Sequence, residues 1–161
     1  MQDYVFSDSQ ALSTLDTTGI ISTNVFDLEV TGSGGATIIT DDQIEAYLNV
    51  LITGAPATQA GAEGMYIDLR TDDDANLAFG SEPDDGDSSE QILGLIHVKE
   101  DDMVAGKKFS IRVLQANVGK YLGVWYRAGS TGLTTGVTVD AWLSDTPVSE
   151  NEDIQKTSNQ Y

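Results

Sequence analysis

The single histidine of the chain, His97, is the first side chain to consider for chemistry, because histidine is the commonest general base in enzymes. It lies within the apolar stretch QILGLIHVK, and no serine or cysteine motif of nucleophile type is near it. A Ser-His-Asp triad assembles only in space, so the sequence leaves that arrangement open. We expect His97 to be a structural strand residue and the protein not to be an enzyme, and a hydrolase is the least favoured interpretation.

The acidic stretch 72–90 is the second candidate, because carboxylates bind calcium. Asp72, Asp74 and Asn76 have the spacing of the first three ligands of a calcium loop. The pattern then fails, since Leu77 stands where the turn glycine belongs and the twelfth position is not glutamate. A looser calcium site at the DDGD run stays open, but we expect solvated loop carboxylates and predict no metal and no cofactor.

The chain is strongly acidic, with 8 lysines and arginines against 26 aspartates and glutamates in 161 residues and a formal net charge of −18. Binding to DNA or RNA requires basic surface, so we exclude nucleic acid as a partner. The same sign disfavours an anionic membrane, and no stretch approaches the roughly 20 apolar residues of a membrane span. The opening residues MQDYVFSDSQALSTLD lack the basic and apolar regions of a secretory signal.

Short alternating segments run through the body of the chain and predict strands. Clear examples are MYIDLRT, KKFSIRV and GVTVDAWLS, each with one apolar and one polar face. QILGLIHVK is apolar on both faces, and we expect it at the centre of a sheet. Seven strands are predicted, or eight if ATIIT pairs, and the glycine-rich turns indicate an all-β antiparallel sandwich or barrel. Because the chain has no cysteine, packing must hold this fold together.

Two segments carry helical signals instead. TDDQIEAYL, residues 40–48, has a capping-box spacing and apolar residues at helical intervals, so a helix competes with a strand there. EDDMVAGKK predicts a short helical turn, with Asp101 or Asp102 as N-cap and Gly106 as the C-terminal stop.

The stretch KYLGVWYRAG, residues 120–129, has two apolar faces. If Leu122 and Val124 face the core, Tyr121 and Trp125 face outward. Trp142 faces outward in the same way in GVTVDAWLS. Outward tryptophan and tyrosine are typical of binding surfaces. Either another part of the same chain covers these rings, or a protein or sugar partner does.

Five segments, taken in order, resemble a known family. They are YVFSDSQALS, STNVFDLEV, a strand ending in TDDD, DDMVAGKKFSIRV, and VGKYLGVWYRAGSTGLTTGVTVDAWLSD. The chain resembles the capsid cement (decoration) proteins of tailed phages, of the type found on Bordetella phage, over roughly Tyr4 to Asp145. The acidic stretch 72–90 and the C-terminal extension depart from the family pattern, which leaves the detailed contacts open.

This resemblance implies a jelly-roll sandwich of about eight strands on the outer capsid surface of a virion. It implies contacts with the major capsid protein and with other copies of the chain, as a dimer or a trimer. Residues 1–20 would then form an N-terminal arm, 21–146 the jelly-roll domain and 147–161 a flexible C-terminal tail. The residues expected at these interfaces are Tyr4, Phe6, Tyr121, Trp125, Arg127 and Trp142.

A carbohydrate-binding β-sandwich that serves adhesion on the virion surface is the alternative function. Such a module would stack a sugar ring on Trp125 or Trp142, because flat aromatic faces bind apolar sugar faces. The two functions differ in the partner that they require: an assembled shell for a cement protein, and a glycan for the adhesion module.

Overall fold

A computed structural model describes residues 4–15, 17–28, 46–56, 63–75, 77, 91–113, 119–129 and 133–148. This part of the chain is all-β, as expected, with nine strands and no α-helix. Within it, no helix is long and apolar enough to cross a membrane. The strands are β1 (Tyr4–Leu15), β2 (Ile20–Ile21), β3 (Phe26–Asp27), β4 (Tyr47–Gly54), β5 (Met65–Asp72), β6 (Gln91–Val98), β7 (Lys108–Arg112), β8 (Tyr121–Ala128) and β9 (Leu133–Ser144).

The strands form two antiparallel sheets. Sheet A has the order β1-β9-β4-β7, and sheet B has the order β2-β8-β5-β6, with β3 also paired to β8. Because β2 and β3 pair with successive parts of β8, they act as one interrupted strand. Counted in this way, eight strands make two four-stranded sheets between which the chain crosses repeatedly. This arrangement is a jelly roll, so the predicted two-sheet sandwich is confirmed.

The hydrophobic core lies between the two sheets and is filled by alternate residues of both. The predicted inward faces of β5, β7 and β9 are correct. In β9, every second residue from Val137 to Leu143 is buried, whereas Thr138, Asp140 and Trp142 between them are only partly buried. Burial of these apolar faces is the main source of stability in a fold without disulfides.

Residues 4–15, predicted as part of an N-terminal arm, instead form β1 at one edge of sheet A and pair with β9. Phe6 is fully buried, and Tyr4 packs against the core. Both rings lie edge-to-face on Phe26, with centroid distances of 4.9 Å for Tyr4 and 5.2 Å for Phe6. The prediction of Phe6 as an exposed anchor is therefore wrong, because its position in the strand faces the interior, whereas Tyr4 is only partly buried against Phe26.

β6 is an edge strand of sheet B, and the prediction that it lies centrally is wrong. Its inward residues Leu93 and Ile96 are buried in the core. On the outward face, Ile92 is 41% exposed and Leu95 is 39% exposed. The apolar character of both faces thus reflects an uncovered surface rather than burial on both sides.

The helix considered for 40–48 does not extend to the end of that segment, because β4 begins at Tyr47. Its inward residues Leu48, Val50 and Ile52 are buried, as the alternation predicts. Residues 29–45, which include the segment ATIIT, lie outside the described part of the chain.

The short helical turn before β7 is confirmed as a 3₁₀ turn at Glu100–Asp102. Gly106 follows with a φ of 90°, a left-handed conformation that favours glycine. The residue at the N-cap is Lys99, which makes no side-chain capping bond, rather than Asp101 or Asp102.

One buried hydrogen bond joins the two sheets across the core. The hydroxyls of Ser7 on β1 and Tyr126 on β8 lie 2.7 Å apart. The Ser7 hydroxyl also donates to Oε1 of Gln10 at 2.6 Å, so Tyr126 is the donor in the inter-sheet bond. Burial of the Tyr126 hydroxyl raises its pKa above the ordinary value of a tyrosine.

Replacing Phe6 distinguishes a core strand from an arm. We expect Phe6→Ala to lower the free energy of unfolding by about 3–5 kcal/mol, because it removes a buried ring and leaves a cavity. The neighbouring Val5 is 42% exposed and serves as the control. We expect Val5→Ala to change the free energy by less than about 0.5 kcal/mol. Urea denaturation followed by circular dichroism measures both variants. Equally small effects would show that this segment is an arm and not a strand of the core.

Tyr126 predicts a loss of stability at alkaline pH. Because its pKa is raised in the folded state, its contribution is complete below pH of about 10 and is lost as pH rises above the unfolded-state pKa. We expect Tyr126→Phe to lower the free energy of unfolding by about 1 kcal/mol at pH 7, through loss of the hydrogen bond to Ser7. As pH rises, the free energy of unfolding should fall less in this variant than in the natural chain. Urea denaturation at pH 7 and pH 10.5 measures this difference; parallel losses in both proteins would contradict it.

Candidate interaction surfaces

The outer face of sheet B carries side chains in rows that run across β6, β5 and β8, because opposite residues in antiparallel strands share a face. The first row is His97, Tyr66 and Arg127. The His97 ring stacks on the Tyr66 ring at 4.4 Å with planes 9° apart. The Arg127 guanidinium lies 4.5 Å from the Tyr66 ring centroid. Tyr66 is therefore engaged by both of its neighbours through stacking and a cation–π contact.

The second row has a buried carboxylate at its centre. Asp68 is fully buried although it belongs to the outward face of β5. Its Oδ2 accepts hydrogen bonds from Nη2 of Arg70 at 3.0 Å and from Nε of Arg127 at 3.2 Å. The Arg70 side chain is 8% exposed and the Arg127 side chain is 33% exposed. A buried carboxylate needs such pairing, so Asp68 and the two arginines stabilise one another.

Trp125, opposite Asp68 on β8, is covered by other parts of the chain. The Arg70 guanidinium lies 4.8 Å from the centroid of its ring. Its Nε1 donates to the carbonyl of Thr18 at 3.1 Å, in the turn between β1 and β2. Gly19 in this turn has a φ of 91°, and a Cβ there would collide with the indole. The turn and Arg70 thus hold Trp125 against the sheet.

Leu77 covers the next part of β8. It is fully buried, and its side chain occupies the space that a Cβ on Gly123 would take. Nη1 of Arg70 donates to the carbonyl of Leu77 at 3.1 Å and fixes this segment in place. The second apolar face of 120–129 is therefore covered to a large extent by the chain itself.

The beginning of the acidic stretch forms a hydrogen-bonded turn. Oδ1 of Asp72 accepts the amide of Asp74 at 3.2 Å, and Oδ1 of Asp73 accepts the amide of Lys120 at 2.9 Å. In the part of the chain that the structure describes, no three metal-binding side chains come together. Residues 78–90 lie outside that part, so the structure does not bear on a looser calcium site at the DDGD run.

On the outer face of sheet A, Asn49 of β4 holds the chain that follows β9. Asn49 is fully buried. Its Nδ2 donates to the carbonyl of Thr146 at 3.1 Å, and its Oδ1 accepts the amide of Val148 at 2.9 Å. Pro147 and Val148, predicted as the start of a flexible tail, are thus the end of a segment tied to the sheet. Residues 149–161 lie outside the described part.

Trp142 lies beside Asn49 on the same outer face, with Val5 opposite it on the edge strand β1. Trp142 is partly buried and Val5 is 42% exposed. Unlike Trp125, the Trp142 indole makes no hydrogen bond to any described residue. We name these two side chains the Val5–Trp142 patch, an apolar surface that the jelly roll leaves in contact with solvent.

The residues predicted at interfaces therefore do not form one surface. Tyr121, Trp125 and Arg127 lie on the outer face of sheet B, where all three are partly buried. The Lys120 ammonium lies 5.3 Å from the Tyr121 ring centroid. Trp142 lies on the outer face of sheet A, because β8 and β9 belong to different sheets. Of the remaining two, both on β1, Phe6 lies in the interior and Tyr4 is partly buried.

The sequence reading missed the residues that fix these surfaces. Asp68 and Arg70 were correctly expected on the outward face of MYIDLRT, but nothing in that pattern indicates that they are buried. The sequence pattern predicts Leu77 in a loop and Asn49 on the outward face of a strand, so it indicates burial for neither. The only available signal was two opposite charges two residues apart on one strand face, which is a weak indication of a buried pair.

His97 is exposed on the edge strand β6, and its contacts are with groups that hold the fold together. Its Nε2 lies 2.5 Å from the carbonyl oxygen of Glu63, and its ring stacks on Tyr66. Within the described ranges, no serine hydroxyl or carboxylate is hydrogen-bonded to the imidazole. The His97 ring therefore links β6 to the turn that precedes β5.

A comparison with protein families shows to which family the chain belongs. A family model described as Bbp16 matches residues 6–143. The chain belongs to the Bbp16 family. The match begins within β1 and ends within β9, so the Bbp16 region includes every strand of the jelly roll. It supports the Bordetella-phage resemblance of the sequence. No curated protein matches the chain.

Replacing Asp68 tests the buried ion pairs. We expect Asp68→Asn to lower the free energy of unfolding by about 3–5 kcal/mol, because it leaves Arg70 buried without its counter-charge. Asp102→Asn is the control, because the ion pair of Asp102 with Lys107 has partners that are 35% and 32% exposed. We expect that control to cost about 0–1 kcal/mol. Urea denaturation compares the two variants. Equal losses in the free energy of unfolding would show that the buried carboxylate does not stabilise the fold more than an exposed one.

Proposed function

We propose that the protein is a non-enzymatic structural component of a phage particle, which binds the outer capsid surface and stabilises contacts between major capsid proteins. It also associates with copies of itself. The observation that carries the proposal is the Bbp16 match across the complete jelly roll, because the same segments resemble phage capsid cement proteins. The location that follows is the outside of the virion.

The chemistry of the described surfaces fits a binding role. The single histidine is engaged by a neighbouring ring and a backbone carbonyl. One oxygen of the buried Asp68 carboxylate, Oδ2, accepts hydrogen bonds from two arginines of its own sheet. These polar groups hold strands together. We therefore propose a binding role on the basis of the described side chains.

The outer face of sheet A is the surface that we assign to the coat. On the outer face of sheet B, Arg70, Leu77 and the turn that contains Thr18 cover β8 around Trp125, and the exposed apolar side chains Ile92 and Leu95 lie on the edge strand β6. Among the described residues, no comparable group covers the Val5–Trp142 patch. Tryptophan contributes strongly to binding where it becomes fully desolvated, so Trp142 is the residue expected to contribute most.

Association with a shell does not require strong binding by one copy. Each contact around one tryptophan is small, but a shell presents many equivalent positions. Copies that also bind one another link neighbouring coat subunits, and linked contacts multiply in effect. A high net negative charge keeps free copies dispersed before they bind.

A carbohydrate-binding module remains the second candidate, and the geometry favours it less. A sugar ring needs a free aromatic face, whereas Trp125 is held between Arg70 and the turn at Thr18. Trp142 is the ring on which a sugar could stack. A glycan array combined with a titration of tryptophan fluorescence separates this function from capsid binding.

Sedimentation with purified capsids that lack the protein tests the proposal. We expect the chain to sediment with assembled capsids, not to bind isolated coat subunits, and to raise the melting temperature of the capsid. Trp142→Ser should weaken binding at least tenfold, because a desolvated tryptophan contributes about 2 kcal/mol or more. If carboxylates contribute, binding also falls with added salt.

Val104→Ser is the matched control for the capsid experiment, because Val104 is 43% exposed in the turn after β6 and lies outside the Val5–Trp142 patch. It should bind as the natural chain does. Failure of the natural chain to bind assembled capsids would contradict the proposal. Equal binding by both variants would contradict the assignment of sheet A.

A further inference from the structure

Along Gly94–Val98, the outer edge of β6 has backbone hydrogen-bonding groups that no described residue satisfies. Among the described strands, β6 pairs with β5 alone and is the last strand of sheet B. In an antiparallel strand, alternate residues direct their N–H and C=O groups to the opposite side. Such an edge is a template for another strand, and proteins usually protect it with lysine, proline or a covering loop.

The side chains of β6 do not protect this edge. Its sequence QILGLIHV contains no lysine, no proline and no acidic residue. One register shift, between Leu69 and Arg70 of β5, marks a bulge near its beginning, but the segment from Gly94 to Val98 pairs regularly. On the outward face, Ile92 and Leu95 are 41% and 39% exposed.

The charge around β6 differs from the charge of the whole chain. The chain carries −18, and two copies therefore repel each other across most of their surfaces. The edge strand itself carries no acidic group, and Asp68, which lies opposite Leu95 on β5, is paired with Arg70 and Arg127. The segment Gly94–Val98 therefore brings no carboxylate of its own against a second copy.

We infer that β6 pairs antiparallel with β6 of a second copy, so that sheet B continues through a two-fold axis into the partner. A two-fold contact uses the same patch on both chains, and antiparallel pairing of one strand with itself has that symmetry. The regular segment from Gly94 to Val98 forms the ladder, and Leu95 is buried against the partner. This inference rests on the self-association in the proposed function and names its surface.

Leu95→Lys tests the pairing, because it places a charge on the strand face that the second copy covers. Val104→Lys is the matched control, since Val104 is 43% exposed but follows β6. Size-exclusion chromatography with light scattering, over a range of concentrations, should give dimers for the natural chain and Val104→Lys. Leu95→Lys should be monomeric or have a dissociation constant raised at least tenfold.

Hydrogen exchange resolved by residue adds a direct view of the ladder. In the natural dimer, the amides of Gly94–Val98 that face away from β5 should be protected, and they should exchange faster in Leu95→Lys. The amides of β5 should be unaffected, which also shows that the variant is folded. If Leu95→Lys does not fold, His97→Lys provides the same comparison, because His97 is exposed and lies within Gly94–Val98.

A dimer that persists in the folded β6 variant, or outward β6 amides that exchange rapidly in a dimer, would overturn the pairing and leave self-association intact. A trimer would also overturn it, because two-fold pairing closes with two copies. A natural chain that is monomeric at every concentration would overturn both the pairing and the self-association. Capsid sedimentation is measured separately, so the failure of capsid binding is distinguishable from each of these results.

Discussion

The ion pairs of Asp68 with Arg70 and Arg127 hold the part of the molecule on which its surfaces depend. Sheet B uses one face for the core, and its second face also carries large apolar groups. Arg70 reaches from Asp68 to the Trp125 ring and to the Leu77 carbonyl, so one buried carboxylate organises the cover of that face. Arg127 extends the same arrangement to Tyr66 and His97. Without that cover, sheet B would expose an apolar strand to water.

Sheet B covers its own outer face around Trp125, whereas other apolar side chains of the described residues are exposed. They include the Val5–Trp142 patch on sheet A and Ile92 and Leu95 on the edge strand β6. These two surfaces are on different strands and different sheets, so one copy can contact two partners at once. A cement protein needs this property, since it links coat subunits and other copies. The proposed function and the inferred pairing therefore use separate parts of one jelly roll.

The fold was predictable from local pattern to a large extent. Alternation in β5, β7 and β9 gave the correct inward faces, and the resemblance gave the jelly roll. The pattern failed where burial depends on which strands are neighbours. The sequence predicts Phe6 in an arm because local pattern does not show which strand pairs with an edge strand. It predicts β6 at the centre because apolar residues on both faces normally indicate burial. The burial of Asp68 depends on β8 lying beside β5, which no single stretch of sequence specifies.

Electron cryomicroscopy of capsids decorated with the protein tests the central claim most directly, namely that the apolar surface outside the sandwich faces the coat. The account predicts density for a jelly roll on the capsid exterior, at positions that follow the symmetry of the shell, with the outer face of sheet A and Trp142 against the major capsid protein. Density that places Trp142 in open solvent, or a decorated shell without exterior density for this chain, would contradict the account.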